Sequence, residues 1–392
     1  MESFPKLKTP ERILLGAGPT NVNPRVLQAL AQGVIGHLDP EFLRLMEALK
    51  SLLREAFRTA NPITFPVSGT GSAAQEACMV NLIEEGDEVV IGVNGLFGTR
   101  LAEMADRLGA KTHKVEAEWG RIIEVEQVEA ALRRCRKPKL IAMVHAETST
   151  GVHQPHVAEL AELAHRYGAL IVLDVVTSLG CVPVEIDQWQ IDAAYSCTQK
   201  GLGAPPGLGP LTIGERGLAA IRSRKSKCRS WYLDIGLIEQ YWGHERLYHH
   251  TAPINLNYAL YEALRVVIEE GLEKRWERHR TSAAALQAGL SALGLELAAQ
   301  ENFRLPQLTA IRVPEGIDEA KVRSELLRRF NTEIGAGLGP LRGRVWRIGL
   351  MGDNANPKRV LGVLDALEEI LREAGLEIPR GSPRKAAASL IG

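Results

Sequence analysis

A chain of 392 residues, 45% apolar and 24% charged, has room for two domains with sizeable cores and reads as an ordinary globular protein. Its 47 basic and 47 acidic side chains cancel, so net charge gives no pull toward nucleic acid or an anionic membrane. Any anion site has to be local. Five cysteines without a C-x-x-C pair argue against a disulfide framework or a zinc site. They suit a reducing, cytoplasmic setting, and no metal is expected. Met1 to Arg12 lacks the apolar stretch of a signal peptide, and runs such as Leu170–Leu173 are too short to span a bilayer. The ending Ser-Leu-Ile-Gly disfavours peroxisomal import.

In chain order, Ile63–Val67 reads as a strand, followed by a glycine turn and a helix from Ala73. Glu88–Val93 is a second strand, with a helix from about Leu96. Leu140–Val144 and Leu170–Val176 are further strands, and Val157–Tyr167 between them carries an apolar stripe at helical spacing. Ala193–Cys197 and Leu208–Ile213 complete the set. Such alternation predicts an α/β fold with a mostly parallel sheet covered by helices, its ligands at the carboxyl ends of the strands. Asn257 to Leu293 reads as a long connecting helix or helix pair, interrupted by Gly271 and Gly289. A smaller α/β unit follows, with strands at Leu308–Val313 and Val345–Gly349 and helices at Glu319–Arg329 and Pro357–Ala374. The basic, small-residue tail from Pro379 reads as frayed. The expected division is an N-terminal arm (1–14), a large domain (15–275) and a small C-terminal domain (276–392).

Five features carry chemistry. Lys200 follows a strand and precedes the loop Gly201-Leu202-Gly203-Ala204-Pro205-Pro206-Gly207; a lysine amine so placed can form a Schiff base with an aldehyde cofactor and later move a proton. Asp174 closes a buried apolar strand, where a carboxylate is costly without a partner such as a ring nitrogen. Gly69-Thr70-Gly71-Ser72 joins a strand to a helix, a place suited to phosphate. It lacks the Gly-Lys-Ser/Thr ending of a nucleotide P-loop and the third glycine of a dinucleotide fingerprint. Phe97 stands at a strand-to-helix junction, where it can stack on a flat ring. Arg347 lies in an apolar strand of the second unit and offers a carboxylate fork. Each has a plainer reading: a solvated lysine, a capping aspartate, a common turn, a core phenylalanine, an internal ion pair. Their joint order, with Lys200 26 residues beyond Asp174, favours reading them together.

The segments Gly16-Ala17-Gly18-Pro19-Thr20, Ser68-Gly69-Thr70-Gly71, Glu147-Thr148-Ser149-Thr150-Gly151, Asp174, Gln199-Lys200-Gly201, Tyr248-His249-His250-Thr251 and Arg347-Ile348-Gly349 resemble the alanine–glyoxylate / serine–pyruvate aminotransferases. These are class V, fold type I enzymes of pyridoxal 5'-phosphate. The resemblance runs from about residue 13 to about 375. It implies Lys200 as the cofactor lysine and Asp174 as the partner of the pyridine nitrogen. It implies Thr70, Gly71, Ser72 and Gln199 at the phosphate, Phe97 stacked on the ring, and Ser149 near the ring hydroxyl. Arg347 is expected at the substrate carboxylate, with Gly18 and Ser149 also at the substrate. Tyr248 and Thr251 are expected to reach the phosphate of a neighbouring subunit, which implies a homodimer with shared sites. Two departures stand out: Phe97 where a Trp often stacks, and Ser72 where a His is common. The implied reaction moves an amino group between alanine or serine and glyoxylate or pyruvate. Alternative donors are ureidoglycine, pyridoxamine or an aminophosphonate. A cysteine desulfurase would need a mobile catalytic cysteine, and a non-catalytic nucleotide-binding protein would be colourless.

Overall fold

The computed structural model describes residue 4 and residues 6–391; positions 1–3 and 5 of the expected N-terminal arm, and Gly392, lie outside the described residues. In chain order the strands are β1 (Ile13–Leu15), β2 (Ile63–Ser68), β3 (Glu88–Val93), β4 (Lys111–Glu116), β5 (Pro138–Val144), β6 (Ala146–Glu147), β7 (Val152–His153), β8 (Leu170–Asp174), β9 (Ala193–Tyr195), β10 (Leu208–Ile213), β11 (Leu308–Arg312), β12 (Thr332–Ala336) and β13 (Val345–Gly349).

Seven of them form one sheet in the order β2-β10-β9-β8-β5-β3-β4. β10 runs antiparallel to both its neighbours, and the remaining pairings are parallel. Strands covered on both faces need apolar residues at every position. Leu170–Asp174 and Leu208–Ile213 are buried throughout. Helices such as Pro40–Phe57 and Gly71–Leu82 supply the cover, and their inward residues join the sheet in one large core. The former helix starts cleanly because Asp39 caps it, accepting from Glu41 N, and proline occupies its first turn.

The smaller sheet has the order β1-β12-β13-β11 and its own core, which includes Leu15, Ile311, Trp346 and Ile348. β1 pairs in parallel with β12, so Ile13–Leu15, which straddles the expected end of the arm, belongs to a sheet built mainly from the far end of the chain. The expected connector is a helix pair, Ile254–Glu270 and Leu272–Ala292. It breaks at Gly271, whose φ of +84° is reached cheaply only by glycine; Gly289 is absorbed inside the second helix. That second helix crosses position 275: Leu272 joins the large core, while Leu286 and Leu290 join the small one.

The tail departs from expectation. Ser382–Ile391 is a helix with Pro383 and Ala387 buried, not a frayed end. Alanine is the best helix former, and its small side chain allows close packing on a neighbouring helix. Composition alone reads the same residues as loose.

Candidate active site

The carboxyl ends of β2, β3, β5, β8 and β9 open onto one cavity of about 320 Å³. Thr70, Gly71, Ser72, Phe97, Asp174, Gln199 and Lys200 all line it, together with Gln75, Arg100, Thr148 and Thr177. Among the sequence candidates, Gly18, Ser149, Tyr248, Thr251 and Arg347 are not in that lining.

Asp174 is nearly buried at the end of β8. Its Oδ1 accepts from Val176 N at 2.9 Å and its Oδ2 from the Tyr195 hydroxyl at 2.9 Å. Burial pushes the carboxyl up to about 7, against those two hydrogen bonds, which lower it. An acid held this way gains most from a cationic partner, which restores its charged form. One expected outcome follows for the cofactor-free protein. A carboxyl whose folded pKa is raised contributes stability at low pH and loses it as pH rises through that value. The melting temperature of wild type should therefore fall, relative to Asp174→Asn, between about pH 4 and about pH 7, and run parallel above. Adding pyridoxal phosphate should remove that slope. Equal pH profiles for the two cofactor-free proteins would show that Asp174 does not titrate there.

Lys200 points across the same cavity. Its Nζ donates to the Ala17 carbonyl, and burial lowers its pKa, which favours the neutral, nucleophilic amine. Gly18 lies directly against it. The backbone there adopts φ +99°, a conformation that favours glycine, and a Cβ would push against the end of the Lys200 side chain. The neighbouring Thr20 N donates to the Gln199 carbonyl at 3.1 Å, tying the segment from β1 to the lysine loop.

The turn before Gly71–Leu82 presents the N–H groups of Gly71 and Ser72, which have no acceptor within the helix, and the Thr70 side chain does not cap them. They suit an anion. Gln199 adds a buried amide whose Oε1 has no partner within the chain. Rotation of that amide presents its NH₂ at the same place. Phe97 is half-buried, with Arg100, one helical turn on, 5.2 Å from its ring centroid. The donor set is thus an amine, an acid, an aromatic face and an anion turn. In chemical type it fits an aldehyde on a phosphorylated pyridine ring. Cys197 also lines the cavity, but burial lifts its thiol to about 12, so it offers no nucleophilic thiolate. Cys228 is half-buried, and burial raises its thiol also.

The remaining candidates surround this cavity. Arg347 is buried, its Nε donating to Ala336 O at 2.7 Å and its Nη1 to Thr148 O at 3.1 Å. Among the described residues no carboxylate lies within ion-pair reach of it, so the internal ion pair is absent. Its charge acts on Lys200. Ser149 is buried, its Oγ accepting from Leu96 N at 2.9 Å and donating to Glu147 Oε1 at 2.5 Å. Tyr248 and Thr251 are exposed on the surface of this chain.

Sequence reasoning gave no role to several supporting groups. Glu147 is fully buried, and burial raises its pKa. It accepts from Phe97 N at 2.9 Å, Gly98 N at 3.2 Å and Ser149 N at 3.0 Å, fixing the junction that carries Phe97. The argument applied to Asp174, an acid just beyond an apolar strand, would have found it. Arg100 had a signal too, its spacing from Phe97. Tyr195 had none, because it meets Asp174 only through the pairing of β8 with β9.

No helix among the described residues is long and apolar enough to cross a membrane. The sequence model of the aminotransferase class-V family matches residues 12–340. A Drosophila melanogaster alanine–glyoxylate aminotransferase is 41% identical, covering 95% of each chain. The crystal structure of an alanine–glyoxylate aminotransferase from Nostoc sp. superposes with a TM-score of 0.92 at 47% identity, covering 95% of this chain and 98% of that one. A ureidoglycine–glyoxylate aminotransferase from Bacillus subtilis superposes with a TM-score of 0.96 at 41% identity, covering 98% and 99%. With the match running through β1, the cavity and both sheets, the chain belongs to the class-V aminotransferases, enzymes that depend on pyridoxal phosphate.

Proposed function

We propose that this aminotransferase moves an amino group from a small amino acid, alanine or serine, to a small 2-oxo acid, glyoxylate or pyruvate. The observation that carries the reading is the single cavity shared by Lys200, Asp174, Thr70–Ser72, Gln199 and Phe97, with a buried, unpaired Arg347 beside it. When bound, pyridoxal phosphate supplies an electron sink and the carbon that carries the amino group between substrates. The chain does the rest. Arg347 fixes the substrate carboxylate and so orients its Cα. The Lys200 amine takes the Cα proton and returns it on the other side of the reaction. Asp174 would keep the ring nitrogen protonated. Thr70, Gly71, Ser72 and Gln199 would hold the phosphate, and Phe97 would shield the ring from water.

The two-domain division, with its large and small cores, belongs to the same proposal. So does a homodimer. Val34, Leu38, Trp231, Tyr232, Leu247 and Tyr248 are large apolar side chains left between 42% and 72% exposed. Aromatic contacts through His37, His249 and His250 join several of them. The Tyr232 hydroxyl donates to Ser68 O at 3.0 Å, and His250 Nε2 meets Ser68 Oγ at 2.6 Å. This patch thus touches the strand that leads into the phosphate turn. A second copy docked there would cover the patch and bring its own Tyr248 and Thr251 to that turn. A cytoplasmic, reducing setting accompanies this reading, supported by five unpaired cysteines.

A second reading differs in the donor alone. The Bacillus ureidoglycine–glyoxylate enzyme equals the Drosophila alanine enzyme in identity, at 41%, and exceeds the Nostoc enzyme in TM-score though not in identity; all three relatives carry glyoxylate in their names. The deciding experiment mixes the yellow holoenzyme separately with alanine, serine, glycine and ureidoglycine and follows conversion to the pyridoxamine form. Alanine or serine should convert it fastest. Rapid conversion by ureidoglycine alone would replace this proposal with the second reading.

A further inference from the structure

The far end of the large sheet, at the amino ends of its strands, carries a second group of side chains with ligand chemistry. Glu88 opens β3, His113 lies in β4, and Cys135 lies in the turn between the helix Val125–Leu132 and β5. One ligand atom from each, a carboxylate oxygen, an imidazole nitrogen and the thiol sulfur, all lie within 4.8 Å of one another. None of the three lines the catalytic cavity.

The local fold explains why they meet. β3 and β4 run parallel with Glu88 opposite Lys111 and Val90 opposite His113. Residues two apart share a face of a strand, so Glu88 and His113 project from the same side as diagonal neighbours. The turn that carries Cys135 is tied to Glu88: Oε2 accepts from Arg136 N at 2.9 Å and from Lys137 N at 3.0 Å. The carboxylate is thereby oriented by backbone, as outer-shell partners orient metal ligands. Its other oxygen, Oε1, stands 3.7 Å from His113 Nε2. That is too long for a hydrogen bond. It is close to the edge of a tetrahedron around zinc, about 3.3–3.6 Å for ligands at ordinary zinc distances.

We propose that Glu88, His113 and Cys135 form a binding site for zinc or a divalent ion of similar softness. The thiol proton leaves to solvent as the sulfur–metal bond forms. Carboxylate and thiolate then balance the two positive charges. Mixed oxygen, nitrogen and sulfur donors select zinc over magnesium or calcium, which require oxygen ligands. The Glu88 and His113 side chains are 17% and 26% exposed, so an ion can enter and water can take the fourth position. Bound there, it would clamp β3, β4 and the entry to β5, at the end of the sheet away from Lys200. Its effect is on stability, not on turnover. Chain spacing alone gives no hint of the site, because the three residues are brought together by strand pairing.

The test uses the holoenzyme with Co²⁺ as a spectroscopic stand-in for zinc. A near-ultraviolet sulfur-to-cobalt band should appear in the difference between wild type and Cys135→Ser, which cancels any metal response of the cofactor itself. It should saturate at one Co²⁺ per chain and vanish on adding Zn²⁺. Zinc should also raise the melting temperature of wild type, an effect lost in Cys135→Ser, and bind at least about 10-fold more weakly to His113→Ala. Absence of the thiolate band overturns the proposal. So does zinc stabilisation that is equal in wild type and in both variants.

Discussion

Lys200→Ala should yield a colourless protein that no longer keeps pyridoxal phosphate through gel filtration and turns over at least about 10³-fold more slowly. Two losses combine. On the proposed roles, the amine that would join the aldehyde is gone, and so is the base that would move the Cα proton. The amine is set up for both tasks: burial favours its neutral form, and the Gly16–Thr20 segment, Gly18 above all, closes around it. Absorbance spectra and steady-state rates check the result. A variant that stays yellow would remove Lys200 from its assigned place.

Arg347→Ala should lower kcat/KM for amino acid and oxo acid alike by about 2–5 kcal/mol, roughly 30- to 4000-fold, while the yellow spectrum survives. The size follows from burial. The guanidinium is desolvated, and its bonds within the chain go to the neutral carbonyls of Ala336 and Thr148. A substrate carboxylate gives it a direct anionic partner, where among the described residues Glu147 acts on it only from beyond ion-pair reach. Arg347→Lys should recover only part of the loss, since an ammonium cannot fork onto two oxygens. Unaltered kinetics with either variant would take Arg347 out of the site.

Much of the cavity lining was legible in the sequence because it sits at strand ends. A continuous apolar run ending in an acid marks Asp174, and a strand followed by a glycine- and proline-rich loop marks Lys200. Both signals are local. What escaped depends on neighbours in space. Tyr195 reaches Asp174 through strand pairing, and Arg347 meets Thr148 across 199 positions of chain. Ile13–Leu15 and Thr332–Ala336 look like loops when read alone, because each is a short strand completed by the other. The final helix escaped for a different reason: alanine-rich segments are equally compatible with a frayed end and a packed helix until a partner surface is known.

The central claim is that the amine at position 200 and the acid at position 174 serve one small aromatic molecule. Hydride reduction of the wild-type holoenzyme fixes the cofactor permanently to whichever lysine holds it, and peptide mass mapping then identifies that residue. The tag is expected on Lys200, in one copy per chain. A tag on any other lysine, or none at all, would contradict the account.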